Sequence, residues 1–575
     1  MPNEDLSLGS SVFVFRQSSK QPQSKSTSRN YFTAASNRRT TRRRPNQTLT
    51  AKYRRRNSRP KINQTAVAKT QTGRPPTAKN KLSDTQTAQA DVLLEKGAID
   101  EAVAKYKQAL QNNSNNQNAK NGLSAANVAK GDESNEAGSE AEAKIFYQEA
   151  VKLNDANADA YVKLGLIEEQ LNFKDDALAA YEKALKINPD TPDLFAPIGK
   201  LYYEKGDYAN ADIYLTKSEK AAPDDADTVF LRGLLYSKRS ENEKALAAFA
   251  RTLELDPNKT EAYFYQAEIY DRINQQQKAV ALYEKTVELD PNYTEAWFDL
   301  GVANYNQGNY DRAATAYEKT IELDRNNPNA HSNLASTFRQ LKKYAEANVE
   351  YKAAAEFVKD DADLFSEWGF CLGKVDEWDK AIARLETAKN LSPNAIDYTN
   401  LGWGFYNAAL KETNAEQKGE AQKNYEQGKI ALQKAVALNP KLDAAHLNLG
   451  ITYTGLGEYQ NAVDSLTKAN NLHRDWKIAV NELGVAFRKL DKLQEALNQF
   501  QKAVSLDNQF AIGLYNLGEA QSRLGRKKEA KKTYETLKQI DPKLASKLDR
   551  AIKGALIDEG KEQIRKKIPT IKLPF

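Results

Sequence analysis

Apolar residues return along this chain with two nested periods. Within a stretch such as 158–189 they fall three and four apart, as on one stripe of a helix. Tyr161, Leu164 and Gly165 form a first stripe, and Ala177, Tyr181 and Ala184 form a second. The whole stretch then comes back. YEKTVELDPNYTEAWFDLG at 283–301 recurs thirty-four residues later, at 317–335, as YEKTIELDRNNPNAHSNLA. Weaker echoes are YEKALKINPDTPDLFAPIG at 181–199 and FQKAVSLDNQFAIGLYNLG at 500–518. Each period predicts two helices and a turn, packed on each other and on the next pair.

Numbering one unit from Ala158, positions 4, 7, 8 and 11 share a helical stripe and bury together. Position 8 is Gly or Ala, which predicts that a second helix crosses closely there. Alanines at 20 and 27 let that helix lie flat, an aromatic at 24 fills the space between the two, and proline at 32 stops the second helix. Trp297, Leu300 and Gly301 precede Ala313, Tyr317 and Thr320 in this way. So do His446, Leu449, Gly450 and Tyr453 before Ala462, Leu466 and Ala469, and Val480, Leu483, Gly484 and Phe487 before Ala496, Phe500 and Ala503. Arg325, Lys359, Arg474 and Asn508 stand where the proline would be, and Glu168, Asn304 and Gln521 replace the aromatic at position 11.

The period and these positions resemble the tetratricopeptide repeat, with about thirteen units between residues 83 and 544. The resemblance implies an all-α, right-handed superhelical solenoid of helix-turn-helix repeats. Two units are long. One, around 117–157, places GDESNEAG (131–138) between its helices, and one beginning near Ala395 carries its excess in the helix-forming stretch 411–427. After the last unit Leu544, Leu548 and Ile552 lie on one stripe, as expected of a capping helix that closes a solenoid. The expected organisation is a tail over 1–82, the solenoid and cap over 83–558, and a short basic tail over 559–575.

Charge separates the tail from the body. Residues 1–83 carry nineteen Lys and Arg against Glu4 and Asp5, so the rest of a chain of net charge +7 is acidic. Ser, Thr, Asn, Gln and Arg dominate this leading segment, too little apolar surface to offset the entropy of ordering, which predicts disorder. Its densest part, RRTTRRRPNQTLTAKYRRR at 38–56, with Tyr31, Phe32 and Tyr53, supports a second reading of the function. In that reading the tail contacts the phosphates of a nucleic acid, or another acidic partner, while the solenoid recruits a protein. A solvated tail resting on the acidic solenoid and an Arg-rich transit peptide are further alternatives. The only apolar run among the first thirty residues is VFVF at 12–15, too short for a secretory core. With no membrane-length apolar segment, the expectation is a cytoplasmic protein.

Candidate chemistry is sparse. Cys371 is the single cysteine, read as a small buried residue. His331, His446 and His473 are the only histidines, and the first two take position 4 of their units, where Trp297 and Tyr161 stand in others. No His or Cys pair has metal-ligand spacing, and no GxxxxGK[ST] loop occurs. The repeats leave no length for a catalytic domain. The expectation is no enzyme, no cofactor and no metal.

If positions 4, 7, 8 and 11 bury, positions 2, 5, 9 and 12 form a second face. In the tetratricopeptide family that face lines a concave groove holding peptides or extended segments of other proteins. Carried over position by position, it includes Tyr203, Phe230, Phe264, Phe298, Tyr305, Arg339, Phe370, Trp403, Tyr406, Arg488 and Tyr515. Phe264 and Phe298 are expected to stand side by side as open anchors. Position 6 is asparagine at Asn333, Asn400, Asn448 and Asn516, interrupted by Asp299, Glu367 and Glu482. This resembles the asparagine ladder of the array in O-GlcNAc transferases, where amides grip a bound peptide backbone. The expected function is a protein-interaction scaffold or adaptor.

Overall fold

The computed structural model describes residues 11–15 and 77–567, with side chains described as far as residue 554. These residues form twenty-seven α-helices and one 3-10 turn, and among them there is no strand. The chain divides into two compact units. Among the described residues, one contains 77–296, and the other contains 11–15 together with 297–567. Within the first, six helix pairs run from Ala78 to Leu289. Seven further pairs, the first of which begins at Thr294 on the division between the units, run to Ile540, and a closing helix, Pro542–Lys567, follows.

The helices fall where the periodicity sets them. Ala158–Gln170 and Lys174–Ile187 are positions 1–13 and 17–30 of their unit, and Thr294–Asn306 and Tyr310–Leu323 repeat this. In many of the pairs the joining contact is the one expected between positions 8 and 24. A Cβ added to Gly165 would stand 2.6 Å from the Tyr181 ring, and one added to Gly301 would stand 2.6 Å from Cε1 of Tyr317. Gly233 meets Phe249 and Gly484 meets Phe500 in the same way, and all four rings are fully buried. Small residues at 20 and 27 complete the seam: Ala177, Ala313, Ala462 and Ala503 have no exposed surface.

The long units resolve differently from each other. Near Ala395 the helices simply lengthen, to Ala395–Asn414 and Lys418–Leu438, as their composition predicts. In the other, GDESNEAG does not form a connection between helices. Residues 131–136 continue the helix Gln117–Glu136, and the turn is confined to residues after it. The reason is Gly131, whose missing side chain leaves room for the Tyr147 ring, 2.4 Å from where a Cβ would sit. Tyr147 then donates to Asp132 at 2.7 Å, which holds the added turn in place.

At the end of the chain Leu548 is fully buried and occupies the space left by Gly518, with Leu544 and Ile552 beside it. The closing helix runs on to Lys567, past the boundary expected at 558. At the other end the first described helix starts at Ala78, ahead of the boundary expected at 83, with Thr77 accepting from the Asn80 N–H as its cap. Most of the basic segment, including 38–56, lies outside the described residues. Residues 11–15 are the exception, and they are not free of the body.

The two position-4 histidines are buried and bonded. Nε2 of His331 donates to the Arg325 carbonyl at 3.1 Å, and Nε2 of His446 to the Pro440 carbonyl at 2.9 Å. Each ties the first helix of its unit to position 32 of the unit before. Cys371 has no exposed surface, and burial pushes its thiol up to about 12.

Candidate functional site

The site is built by the first helices of four successive pairs in the second unit: Pro328–Gln340, Ala362–Lys374, Ala395–Asn414 and Asp443–Leu456. Along each of them, positions 6, 9 and 12 or 13 face one way. Residues 11–15, Ser-Val-Phe-Val-Phe, lie across these helices and contact side chains from all four.

Two asparagines hold the backbone of this segment. The Val12 N–H donates to Oδ1 of Asn448 at 2.9 Å, and Nδ2 of Asn448 donates to the Val12 carbonyl at 2.8 Å. The Val14 N–H donates to Oδ1 of Asn400 at 2.8 Å, and Nδ2 of Asn400 donates to the Val14 carbonyl at 2.8 Å. A residue whose N–H and C=O both point to one side is extended, and the next residue to repeat that direction is two further on. Each primary amide thus does what a facing strand residue would do, offering one donor and one acceptor. The segment runs from Asn448 toward Asn400, opposite in direction to the order of the repeats. Ser11 adds a smaller contact at the leading end, where Nδ2 of Asn407 donates to its Oγ at 3.0 Å.

Side chains between the gripped residues enter aromatic and cationic surroundings. The Phe13 ring lies 4.8 Å from that of Phe370 and 5.1 Å, edge-on, from that of Trp403. Phe15 stands 4.9 Å from both Phe370 and Phe13, so the three rings form a triangle, and the Arg339 guanidinium lies 4.8 Å from the centre of the Phe15 ring. Val12 packs on an apolar cluster that includes Tyr406, Leu447 and Ile451. Phe15 remains 40% exposed, so the Arg339 end of the site is open to solvent.

The interruption at Glu367 has its own role. Its carboxylate accepts from Tyr351 at 2.7 Å and from Ser336 at 3.1 Å, and it pairs with Arg339 at 3.5 Å. It therefore positions the cation over Phe15 instead of gripping backbone. One rung further, Asn333 is buried and its Nδ2 has no hydrogen-bond partner. Asn516 is differently placed, since its amide is bonded to Asn481 at 3.0 Å and to Arg488 at 3.3 Å.

Of the residues nominated from sequence, Arg339, Phe370, Asn400, Trp403 and Asn448 touch residues 11–15, and Tyr406 belongs to the cluster under Val12. Tyr305 accepts from Gln340 at 3.2 Å, and Tyr515 is half-buried. The position-5 rings are not open anchors. Phe230, Phe264 and Phe298 are 3%, 6% and 8% exposed. Each packs on the aromatic at position 24 of its own pair, with ring centres 5.6 Å apart for Phe230–Phe249 and 5.8 Å for Phe264–Tyr283 and Phe298–Tyr317. Tyr203, 8% exposed, rests on Tyr208. A ring at position 5 leans under the second helix, because that is where apolar surface is available. Asn407 was missed, as was the segment it helps to hold; the signal was VFVF, an apolar run alone in a polar tail.

Among the described residues no three His, Cys, Asp or Glu side chains stand where they could hold a metal, and no helix is long and apolar enough to cross a membrane.

A comparison with curated proteins gives no match. Solved structures similar to this chain include a MamA protein, 26% identical, covering 29% of this chain and 92% of that one with a TM-score of 0.28. Another is the APC/C heterotetramer Cut9–Hcn1, 16% identical over 76% of this chain and 96% of that one, TM-score 0.33. A third, YrrB, described as a TPR protein with an unusual peptide-binding site, is 24% identical over 32% of this chain and 95% of that one, TM-score 0.28. Tetratricopeptide repeat models match residues 87–146, 196–259, 230–294, 266–328 and 298–362, and further TPR models match 174–206, 444–475, 484–525 and 511–544. With those matches spread over most of the helix pairs, and position 8 seated on position 24 in pair after pair, the chain belongs to the tetratricopeptide repeat family.

Proposed function

We propose that this protein is a non-catalytic interaction scaffold that binds extended segments of other proteins along the face carrying Asn400 and Asn448. One observation carries the reading: each of these amides meets both the N–H and the C=O of a single extended residue, two residues apart. Such a pair of amides recognises backbone and is indifferent to sequence, so it suits a protein ligand that arrives as a strand. Aromatic rings and an arginine beside the ladder add side-chain contacts of the kind that dominate binding energy.

Panning a displayed library of random peptides against the full chain and against its Asn400→Ala/Asn448→Ala form tests this. Peptides that enrich on the unaltered chain should be lost on the altered one, with helicity unchanged. Equal enrichment on both would show that the ladder is not the binding face.

A further inference from the structure

The ladder already has an occupant, and it comes from the same chain. Residues 11–15 are the one apolar run in a leading segment otherwise built of polar and basic residues. Four amide hydrogen bonds and the rings of Phe370 and Trp403 meet it. We infer that Ser11–Phe15 is an intrachain mimic of the partner. The partner would then present an extended Val-aromatic-Val-aromatic type of segment and bind this groove by displacing residues 11–15. The inference rests on the groove reading above and adds the ligand's chemistry and its built-in competitor.

The pattern follows from which atoms are held. The first and third residues, at the Val12 and Val14 places, are gripped by N–H and C=O, so proline is excluded there. β-branched residues suit these places because they favour the extended backbone that the amides require. The second and fourth residues, at the Phe13 and Phe15 places, point at Phe370, Trp403 and the Arg339 guanidinium. Aromatic side chains fill both, since tilted ring pairs and a cation over a ring face add to simple burial.

The geometry also shows how an outside segment could win. A segment on the same chain competes at an effective concentration of up to about 1 mM, which would weaken an identical outside ligand many-fold. The intrachain occupant leaves Asn333 Nδ2 buried and unpartnered, on the same helix as Arg339 and one rung beyond Glu367. A partner that stays extended past the Phe15 place would gain that rung. Phe15, the most exposed residue of the described segment, is the end where exchange would begin.

The test uses full-length protein and a fluorescein-labelled synthetic peptide of residues 9–17, GSSVFVFRQ, read by fluorescence anisotropy. Phe13→Asp/Phe15→Asp releases the intrachain segment without touching a helix, and Val12→Pro/Val14→Pro does so by removing both N–H groups. Circular dichroism checks that each keeps its helicity. The expected result is that both released forms bind the peptide at least about 10-fold more tightly than the unaltered chain. Adding Asn400→Ala to a released form should abolish binding, as should alanine at both phenylalanines of the peptide. Equal affinity for released and unaltered chains would overturn the inference, and so would full binding of the alanine peptide. If the released forms ignore GSSVFVFRQ yet still capture library peptides through Asn400 and Asn448, the mimic fails and the groove reading stands. If they capture none, both fail.

Discussion

Asn448 and Val12, 436 positions apart in the chain, are joined by two hydrogen bonds, one in each direction between side-chain amide and backbone. Asn400 and Val14 repeat the arrangement across 386 positions. No local propensity produces such a pair. It exists because two helices of successive repeats present the same position to one side, at a spacing that two residues of extended chain can match.

Removing one amide should loosen one rung. Asn448→Ala leaves the Val12 N–H and C=O without their partner, a change worth about 1–3 kcal/mol when such groups are buried. Hydrogen exchange of the Val12 amide should speed up strongly, with a smaller change at Val14. Uniform exchange across residues 11–15 in the unaltered chain would show that the segment is not held.

Gly301→Leu should separate the helices Thr294–Asn306 and Tyr310–Leu323, because a Cβ already falls 2.6 Å from the buried Tyr317 ring. Overpacking of this kind costs about 1–3 kcal/mol. Each pair rests mainly on its neighbours, so exchange protection should fall around residues 297–361 and hold beyond 443. A loss shared evenly by all helices would mean a single cooperative unit instead.

Phe298→Ala separates a core role from a surface one. An open anchor could be truncated at little cost to folding, whereas a ring packed on Tyr317 with 8% of its surface exposed should cost about 3–5 kcal/mol. Chemical denaturation of the variant gives the answer, and a change under about 0.5 kcal/mol would place the ring on the surface.

Cys371 supplies a pH test. Its thiol is raised from 9.0 to about 12 in the fold, chiefly by burial, with Arg339 opposing the shift and Glu367 adding to it. The folded form therefore holds a proton that the unfolded form gives up, so this contribution to stability is complete below about pH 9 and lost as pH rises toward 12. At pH 8 a disulfide reagent should react with Cys371 only on unfolding. Rapid labelling of the native chain would contradict the burial.

Residue spacing alone determined the repeats, the helix bounds within the regular units, the pairing of Gly301 with Tyr317, and the cap stripe of Leu544, Leu548 and Ile552. These are contacts between residues close in sequence or one period apart, and periodicity encodes them directly. The asparagine positions were legible for the same reason. Tertiary structure decided the rest. It turned Phe230, Phe264 and Phe298 inward, because a ring at position 5 finds more apolar surface under its own second helix than in water. It used Asn516 within the repeats and left the buried Asn333 with an unpartnered Nδ2, a difference of neighbours such as Arg488 and Asn481 that one position cannot reveal. And it carried VFVF from the far end of the chain to Asn400 and Asn448. In the sequence that run is only too short for a secretory core; its meaning depends on a complementary surface nearly four hundred residues away, which no local pattern records.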